Sequence, residues 1–283
     1  MKNKIYPSIW FNNQAKEAAE LYCSLFDDST IHESNAITTS FSLNGYYIMG
    51  IDGGPMFQPN PSISLYVECD SEEELDTKYE ALVANGKVMI PLGTYPWSEK
   101  YAFIQDQFNV CWQLTLRSNP ENPQITPALL FVNDKNGMAE EAIDHYASIF
   151  HNSQILEMEY YEEGQQNAEG NVLFSRISID GFQLIAMDGP DKHDYDFNEG
   201  FSFLITTKDQ AETDEFWEEL IGEDGNEGQC GWLKDPFGIS WQVVPKTFMD
   251  IMANGSEESK KRVLDCIMSM KKLIVKDIEQ AAL

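Results

Sequence analysis

The strongest constraint on the fold is a hairpin motif that occurs twice, 129 positions apart. In residues 230–242 (Cys-Gly-Trp-Leu-Lys-Asp-Pro-Phe-Gly-Ile-Ser-Trp-Gln) a short apolar segment enters a turn with Pro and Gly, and an alternating strand leaves it. Residues 101–113 repeat this motif, with Gln107 and Asn109 in place of the turn's Pro and Gly. Because each copy lies near the end of one half of the chain, the motif indicates a duplicated domain.

The elements before each hairpin recur in the same order. Asn44-Gly45 and Asp180-Gly181 each separate two β-prone runs, as in type I′ turns, whose two central residues need positive φ. Ser71 with Glu74 three residues later is a capping-box pattern. Apolar periodicity predicts helices over residues 14–26, 71–84, 137–150 and 209–221.

The repeat divides the chain into two units and a tail. We expect a first unit over 1–118 and a second over 119–246, joined by a polar linker with two prolines at 117–124. The tail, 247–283, has no counterpart in the first half. It is predicted to be helical with Ser256 as N-cap and to pack on its own domains, a dimerisation element being the alternative. Its apolar stripe comprises Val263, Leu264, Ile267, Met270, Leu273 and Ile274.

Composition argues against several classes of partner. The formal net charge is −28, whereas nucleic acids and anionic membrane surfaces are bound through clustered Lys and Arg. No apolar run approaches the roughly 20 residues of a membrane helix, and the N-terminus lacks the apolar core of a signal peptide. The five cysteines are widely spaced without a Cys-x-x-Cys pair, which fits neither a disulfide framework nor a structural zinc site. We therefore expect a cytoplasmic protein with no nucleic-acid or membrane partner, and a homodimer remains open.

Five stretches carry a resemblance to a known family: Trp10–Tyr22, Gly53–Phe57, Met89–Tyr101, Gln229–Asp235 and Ser240–Gln242. With them the chain resembles the vicinal oxygen chelate superfamily, the group of glyoxalases, bleomycin-resistance proteins and extradiol dioxygenases. Within it, the chain looks like the PhnB-like branch, often labelled 3-demethylubiquinone-9 3-methyltransferase-like. No glycine-rich loop of the S-adenosylmethionine-binding kind follows a strand, so the methyltransferase label carries little weight. The resemblance covers about 5–116 and 125–245.

The resemblance implies the fold class. We expect an α+β protein of two tandem βαβββ (glyoxalase-like) modules with curved mixed sheets, followed by the C-terminal helical tail. Two such modules together would enclose a cavity. Whether they pair within one chain or across a dimer is left open.

The resemblance also implies a divalent metal held by His, Glu or Gln on strands that face the cavity. Only Gln113 and Gln242 fall where the superfamily commonly places a Glu ligand, and a neutral amide is a weak ligand. We therefore expect no metal cofactor and interpret both glutamines as cavity-lining or inter-strand hydrogen-bonding residues. The histidines are predicted elsewhere: His32 in a connecting segment, His145 in a helix, His151 just past it and His193 in a loop.

Other polar residues of the two hairpins have structural explanations. Asp106 and Asp235 are predicted to accept backbone N–H groups in the turns. Cys230 precedes the second turn on a predicted strand. A nucleophilic cysteine needs a base or a helix N-terminus nearby to lower its pKa, and the sequence shows neither, so we predict a small buried residue.

The segment that leads into the first hairpin is a good place for function and a candidate wall of the pocket. It carries Tyr95, Trp97, Glu99, Lys100 and Tyr101, whereas its counterpart, 222–230, is short and Gly-rich. Such loops commonly carry function on a rigid scaffold. No catalytic residue is identified. The candidate ligand-binding residues are Trp97, Tyr101, Trp112, Gln113, Cys230, Trp232, Trp241 and Gln242.

We expect a protein that binds a small apolar or aromatic molecule in a cavity enclosed by paired modules. Two alternatives stay open. One is a metal-dependent lyase, isomerase or dioxygenase of the same superfamily. The other is a structural or interaction protein that acts through its C-terminal helix.

Overall fold

The computed structural model describes residues 4–283. The first half comprises β1 (Ile5–Phe11), α1 (Ala15–Leu25), β2 (Thr30–Ser34), β3 (Thr38–Leu43), β4 (Tyr46–Asp52), β5 (Ile63–Cys69), α2 (Glu72–Val83), β6 (Lys87–Tyr95), β7 (Ser98–Gln105) and β8 (Cys111–Leu116). The second half comprises β9 (Ile125–Phe131), α3 (Ala139–Ile149), β10 (Ser153–Tyr160), β11 (Val172–Ile179), β12 (Phe182–Asp188), β13 (Phe201–Thr207), α4 (Gln210–Ile221), β14 (Asn226–Glu227), β15 (Trp232–Lys234) and β16 (Ser240–Pro245). The tail forms α5 (Lys246–Asn254), α6 (Glu257–Ile267) and α7 (Val275–Ala282).

Each half contains the βαβββ order twice. In the first half, β1 to β4 with α1 form one such motif and β5 to β8 with α2 form the next; the second half repeats this arrangement. The second helix predicted in each half, 71–84 or 209–221, therefore belongs to a second βαβββ motif. Strand β2 had no clear signal because it is largely exposed and does not alternate between apolar and polar residues. His32 lies within β2, so its assignment to a connecting segment was wrong.

The chain divides into two compact units. Residues 7–201 form the larger one. It contains an eight-stranded sheet in the order β10-β11-β12-β9-β5-β8-β7-β6 and a run of four strands in the order β1-β4-β3-β2. The smaller unit consists of residues 4–6 with 202–283 and has the strand order β14-β15-β16-β13. The boundaries expected from the repeat, at 118/119 and 246/247, stay a prediction.

Motifs from the two halves pair within one chain. Strand β5 runs antiparallel to β9, with Ile63 opposite Leu129 and Val67 opposite Ile125. Because these two central strands are joined, the second motif of the first half and the first motif of the second half share one sheet. The sequence left the choice between such pairing and pairing across a dimer open.

Local signals in the turns and helix ends are confirmed. Asn44 and Gly45 have φ of 48° and 74°, and Asp180 and Gly181 have φ of 47° and 82°, which is the left-handed region that type I′ turns need. The Ser71 hydroxyl accepts the Glu74 N–H at 3.2 Å.

In the larger unit, two aspartates at the ends of strands accept backbone N–H groups at the N-termini of helices. Asp52, at the end of β4, accepts the Ala15 N–H at 2.8 Å. Asp188, at the end of β12, accepts the N–H groups of Gly137 at 2.7 Å and Ala139 at 3.3 Å. A carboxylate at this position satisfies free N–H groups and complements the helix dipole.

The tail packs within the smaller unit. The N–H groups of Cys230 and Gly231 donate to the carbonyls of Met270 and Lys271 at 2.8 and 2.7 Å. Ser256 caps α6 as predicted, with its hydroxyl accepting the Ser259 N–H at 3.2 Å. The helix ends at Ile267, so the apolar stripe predicted on one continuous helix is divided between α6 and the segment before α7. Among residues 4–283, no helix is long and apolar enough to cross a membrane.

Candidate functional site

The Asp106 carboxylate holds the first hairpin together. Its Oδ1 accepts the N–H groups of Phe108 and Val110 at 2.8 and 3.0 Å. Its Oδ2 accepts the Trp112 indole N–H at 2.9 Å and the Tyr22 hydroxyl at 2.6 Å. Burial raises the pKa of Asp106 to about 6, against the lowering effect of these hydrogen bonds.

Asp235 has the same role in the second hairpin. Its Oδ1 accepts the N–H groups of Phe237 and Ile239 at 3.0 and 2.9 Å, and its Oδ2 accepts the Trp241 indole N–H at 2.9 Å. The prediction that both aspartates accept backbone N–H groups is confirmed. Trp112 and Trp241 are fully buried, and their indole N–H groups donate to these carboxylates.

Gln113 and Gln242 occupy equivalent positions and make the same bond. Each donates from Nε2 to a serine hydroxyl on the neighbouring parallel strand: Gln113 to Ser64 and Gln242 to Ser202, both at 2.9 Å. The predicted inter-strand hydrogen bond is confirmed. Gln113 also accepts from the Tyr101 hydroxyl through Oε1 at 2.6 Å, so both ends of its amide are engaged.

Gln113 and Trp112 lie on opposite faces of the eight-stranded sheet, because successive side chains of a strand alternate. The face that carries Tyr66, Glu68, Gln113 and Arg176 is called here the Gln113 face. Trp112 belongs to the other face. The sequence had grouped both residues as ligand-binding candidates, and the structure brings only Gln113 to the same face as Tyr101.

A cluster of aromatic rings lies on the Gln113 face at the hairpin of β6 and β7. Trp97 stacks on Tyr95 with centroids 5.0 Å apart and meets Tyr101 edge-on at 5.8 Å. Tyr101 is 5% exposed, whereas Trp97 is 62% exposed. Tyr101, Phe103 and Cys111 form a buried apolar group, against which Tyr66, Met89, Ile90 and Tyr95 pack.

Sequence analysis missed an ion pair on this face. Arg176 and Glu68 are almost fully buried, and Arg176 Nη2 lies 3.0 Å from Glu68 Oε2. Burial raises the pKa of Tyr66 to about 12, and the nearby Glu68 carboxylate adds to this shift. The two partners are 108 positions apart, so no local spacing joins them. The available signal was a charged residue inside each of two apolar strands.

The second hairpin places its candidates differently. Trp232 is half-buried and lies opposite Gln242 in the β15–β16 pair, so these two side chains share a face, whereas Trp241 lies on the other. Cys230 sits in a turn with φ of 57°, not on a strand, and is half-buried. Its Sγ lies 3.7 Å from the Sδ of Met268, and burial raises its pKa. A raised pKa disfavours the thiolate that a nucleophile needs.

The donor groups do not fit the divalent metal that the resemblance implies. Across the described residues, no three His, Cys, Asp or Glu side chains are grouped so that they could hold an ion. At the position where the superfamily commonly has a Glu, Gln113 is bound by Ser64 and Tyr101. No step is therefore assigned to a metal, and the expectation of none stays a prediction.

One protein family matches both halves of the sequence. The sequence model of the family described as 3-demethylubiquinone-9 3-methyltransferase matches residues 3–115 and 123–244. The PhnB protein from Bacillus cereus is 38% identical, over 41% of this chain and 100% of its own, with a TM-score of 0.38. A protein from Staphylococcus aureus is 33% identical, over 40% of this chain and 96% of its own, with a TM-score of 0.19. No curated protein matches this sequence significantly.

Glyoxalase I from Zea mays shares the fold. It is 10% identical, over 86% of this chain and 92% of its own, with a TM-score of 0.58. The predicted α+β glyoxalase-like fold with tandem modules is thereby confirmed, and at this identity the likeness speaks for the fold alone. Since one family model matches both halves, the chain belongs to the 3-demethylubiquinone-9 3-methyltransferase family, the PhnB-like group, as a tandem protein with the fold of glyoxalase I.

Proposed function

We propose that the protein binds a small apolar or aromatic molecule at the aromatic cluster, defined as Tyr66, Tyr95, Trp97, Tyr101 and Phe103. The observation that carries the proposal is the arrangement of Trp97. An indole that is 62% exposed but held by two other rings offers a large apolar surface whose position is already fixed. Pre-ordered aromatic surface binds ligands at low cost in conformational entropy.

Hydrogen bonds keep this cluster in place. The Tyr101 hydroxyl is anchored through Gln113 to Ser64, and the Tyr95 hydroxyl donates to the Pro91 carbonyl at 2.8 Å. The hydroxyl groups of both tyrosines are therefore satisfied within the protein, and the half-buried ring of Tyr95 contributes exposed surface beside Trp97, whereas Tyr101 supports the cluster from below. This favours an apolar contact over a polar one at this end of the Gln113 face.

The test uses N-phenyl-1-naphthylamine, a neutral apolar probe whose fluorescence rises on binding. Trp97→Ala is expected to weaken its binding about tenfold, because a central aromatic contact commonly contributes 1.4 kcal/mol or more, on the order of one decade in Kd. Met56→Ala is the matched control, since Met56 is an apolar side chain of the same unit that is 75% exposed. Equal Kd values for the wild type and Trp97→Ala, or no binding by the wild type, would overturn the proposal.

The enzymatic alternative has a separate test. Elemental analysis of protein purified without chelator is expected to show no stoichiometric Zn, Ni, Mn or Fe. A tightly bound stoichiometric metal would favour the metal-dependent enzyme over the binding protein.

A further inference from the structure

A buried guanidinium on the Gln113 face has an unused donor. Arg176 Nη1 donates to the Thr126 hydroxyl and Nη2 to Glu68, both at 3.0 Å. Arg176 Nε, in contrast, finds no hydrogen-bond acceptor among residues 4–283, although the Arg176 side chain is only 3% exposed. A buried donor without an acceptor is costly, so this N–H points to a missing acceptor.

Glu157 is the second group at this place. Its Oε2 lies 4.0 Å from Arg176 Nε, beyond hydrogen-bond distance. The Glu157 side chain is 47% exposed, so the Glu157 end of the gap borders solvent, whereas Arg176 Nε itself is buried. One oxygen atom can bridge it, because two hydrogen bonds of about 2.8 Å that meet at about 90° span 4.0 Å.

The chemistry of the gap restricts what can fill it. A bridging group must accept from Arg176 and donate to Glu157. A carboxylate only accepts and an ammonium only donates, whereas a hydroxyl does both. Anions are further disfavoured because Glu157 lies near Glu68 and Glu159; together with burial, which is the largest cause, these two raise its pKa against the lowering effect of Arg176.

We propose that the Gln113 face selects neutral ring compounds that carry a hydroxyl group, and that this hydroxyl bridges Arg176 Nε and Glu157. The inference rests on the function proposed above and adds the chemical class of ligand. Apolar surface lies beside the gap: Phe174 is two residues before Arg176 on β11, and its ring centroid is 6.0 Å from that of Tyr66. A ligand whose ring contacts Phe174 and Tyr66 would direct a hydroxymethyl-like substituent toward Arg176.

Four compounds with one ring and different polar groups test the class: benzyl alcohol, benzyl methyl ether, benzylamine and benzoate. The chain has three arginines, Arg117, Arg176 and Arg262, so ¹⁵N-arginine labelling gives three Nε–H signals. Arg117→Lys and Arg262→Lys assign them. Benzyl alcohol is expected to shift the Arg176 Nε–H signal and to bind at least fivefold more tightly than each of the other three.

A variant isolates the bridge. Glu157→Ala is expected to reduce the preference for benzyl alcohol over its methyl ether to less than twofold, because no acceptor remains for the hydroxyl proton. Gln154→Ala, at an exposed position of the same strand, is the matched control and is expected to keep the preference. Equal binding of alcohol and ether by the wild type overturns the inference.

The outcomes separate this inference from the proposed function. If none of the four compounds shifts the Arg176 signal while N-phenyl-1-naphthylamine still binds in a Trp97-dependent way, water alone fills the gap and only the present inference fails. If the naphthylamine does not bind either, the proposed function fails with it.

Discussion

In the hairpin of residues 101–113, Asp106 accepts two backbone N–H groups and an indole N–H, and Gln113 donates to Ser64. In the hairpin of residues 230–242, Asp235 and Gln242 make the equivalent bonds with nearly the same lengths. The surroundings differ. Position 101 is a buried tyrosine bound to Gln113, whereas the equivalent position 230 is a cysteine in a turn that contacts the tail.

The two hairpins share the residues that hold them closed and differ in the residues around them. The aspartate, tryptophan and glutamine make the same contacts in both copies, so these contacts close the hairpin. Among the described residues, the aromatic cluster lies beside the first hairpin only, and the tail helices lie beside the second hairpin only. Function is therefore best sought in side chains that the two hairpins do not share, such as Trp97 beside the first hairpin, and in Arg176, which lies on β11 outside both hairpins.

The largest effect is expected from deleting residues 256–283. The deletion removes Val263, Ile267, Leu273 and Ile278, all buried, each of which contributes roughly 1.5–3 kcal/mol on burial. It also removes the acceptors of the Cys230 and Gly231 N–H groups. Hydrogen exchange is expected to show lost protection at residues 230–231 and unchanged protection at Ala102 and Ile104. Full protection at 230–231 in the shortened chain would mean that the second hairpin does not depend on the tail.

Replacing either turn carboxylate comes next. Asp106→Ala leaves two backbone N–H groups, an indole N–H and the Tyr22 hydroxyl without their acceptor, and we expect a loss of about 3–5 kcal/mol. Asp235→Ala is expected to cost a comparable amount, because the same types of bond are lost. Urea unfolding measures both. Asp134→Ala, at an exposed position of the short 3-10 helix Asn133–Lys135, serves as control and should stay within about 0.5 kcal/mol of the wild type.

The pH dependence of the first hairpin follows from Asp106. Burial raises the pKa of Asp106 in the folded state to about 6 from the ordinary carboxyl value of 3.8, so the folded state binds the proton more tightly than the unfolded chain. The stability contributed by the protonated form is present below pH about 4 and is lost as the pH rises through 6, on the order of 2–3 kcal/mol in total. Comparing urea unfolding of Asp106→Asn and the wild type from pH 4 to 7 measures it. A constant difference between the two proteins across this range would contradict the assignment.

The smallest expected effect on stability comes from substitutions at the equivalent positions 101 and 230. Tyr101→Phe removes the donor of a buried Gln113 oxygen and is expected to cost about 1–2 kcal/mol. Cys230→Ala removes a half-buried thiol and is expected to change stability by less than about 1 kcal/mol. Urea midpoints of the two variants measure the difference. Equal losses of stability in the two variants would mean that the Tyr101 hydroxyl does not stabilise the protein and that Tyr101 contributes through packing alone.

Much of the fold could be predicted because its signals are local. A turn such as Asn44-Gly45 or a cap such as Ser71 depends on residues within one or two turns of chain, whose backbone angles and hydrogen bonds the residue types themselves restrict. The exposed strand β2 escaped prediction because it lacks an alternating apolar pattern. The end of the tail helix at Ile267 was not predicted, because the apolar stripe in the sequence continues past the end of α6.

The candidate site could be predicted only in part. Tyr101 and Gln113 were found because they lie in the repeated hairpin. Alternation along the predicted strand already places Trp112 and Gln113 on opposite faces, but the sequence could not decide which of the two faces carries the aromatic cluster, because that depends on what the sheet packs against. Arg176 and Glu68 were missed altogether, since nothing within a few residues of either indicates its partner.

The sequence by itself determined the duplication, the turns and the aspartates that close each hairpin, because these depend on short-range geometry that residue type controls. Only the tertiary structure decided that β5 pairs with β9, that Arg176 meets Glu68 beside Tyr66, and that the tail covers Cys230. Those contacts join segments far apart in the chain. Their formation depends on strand register and burial in the whole fold, which no local pattern specifies.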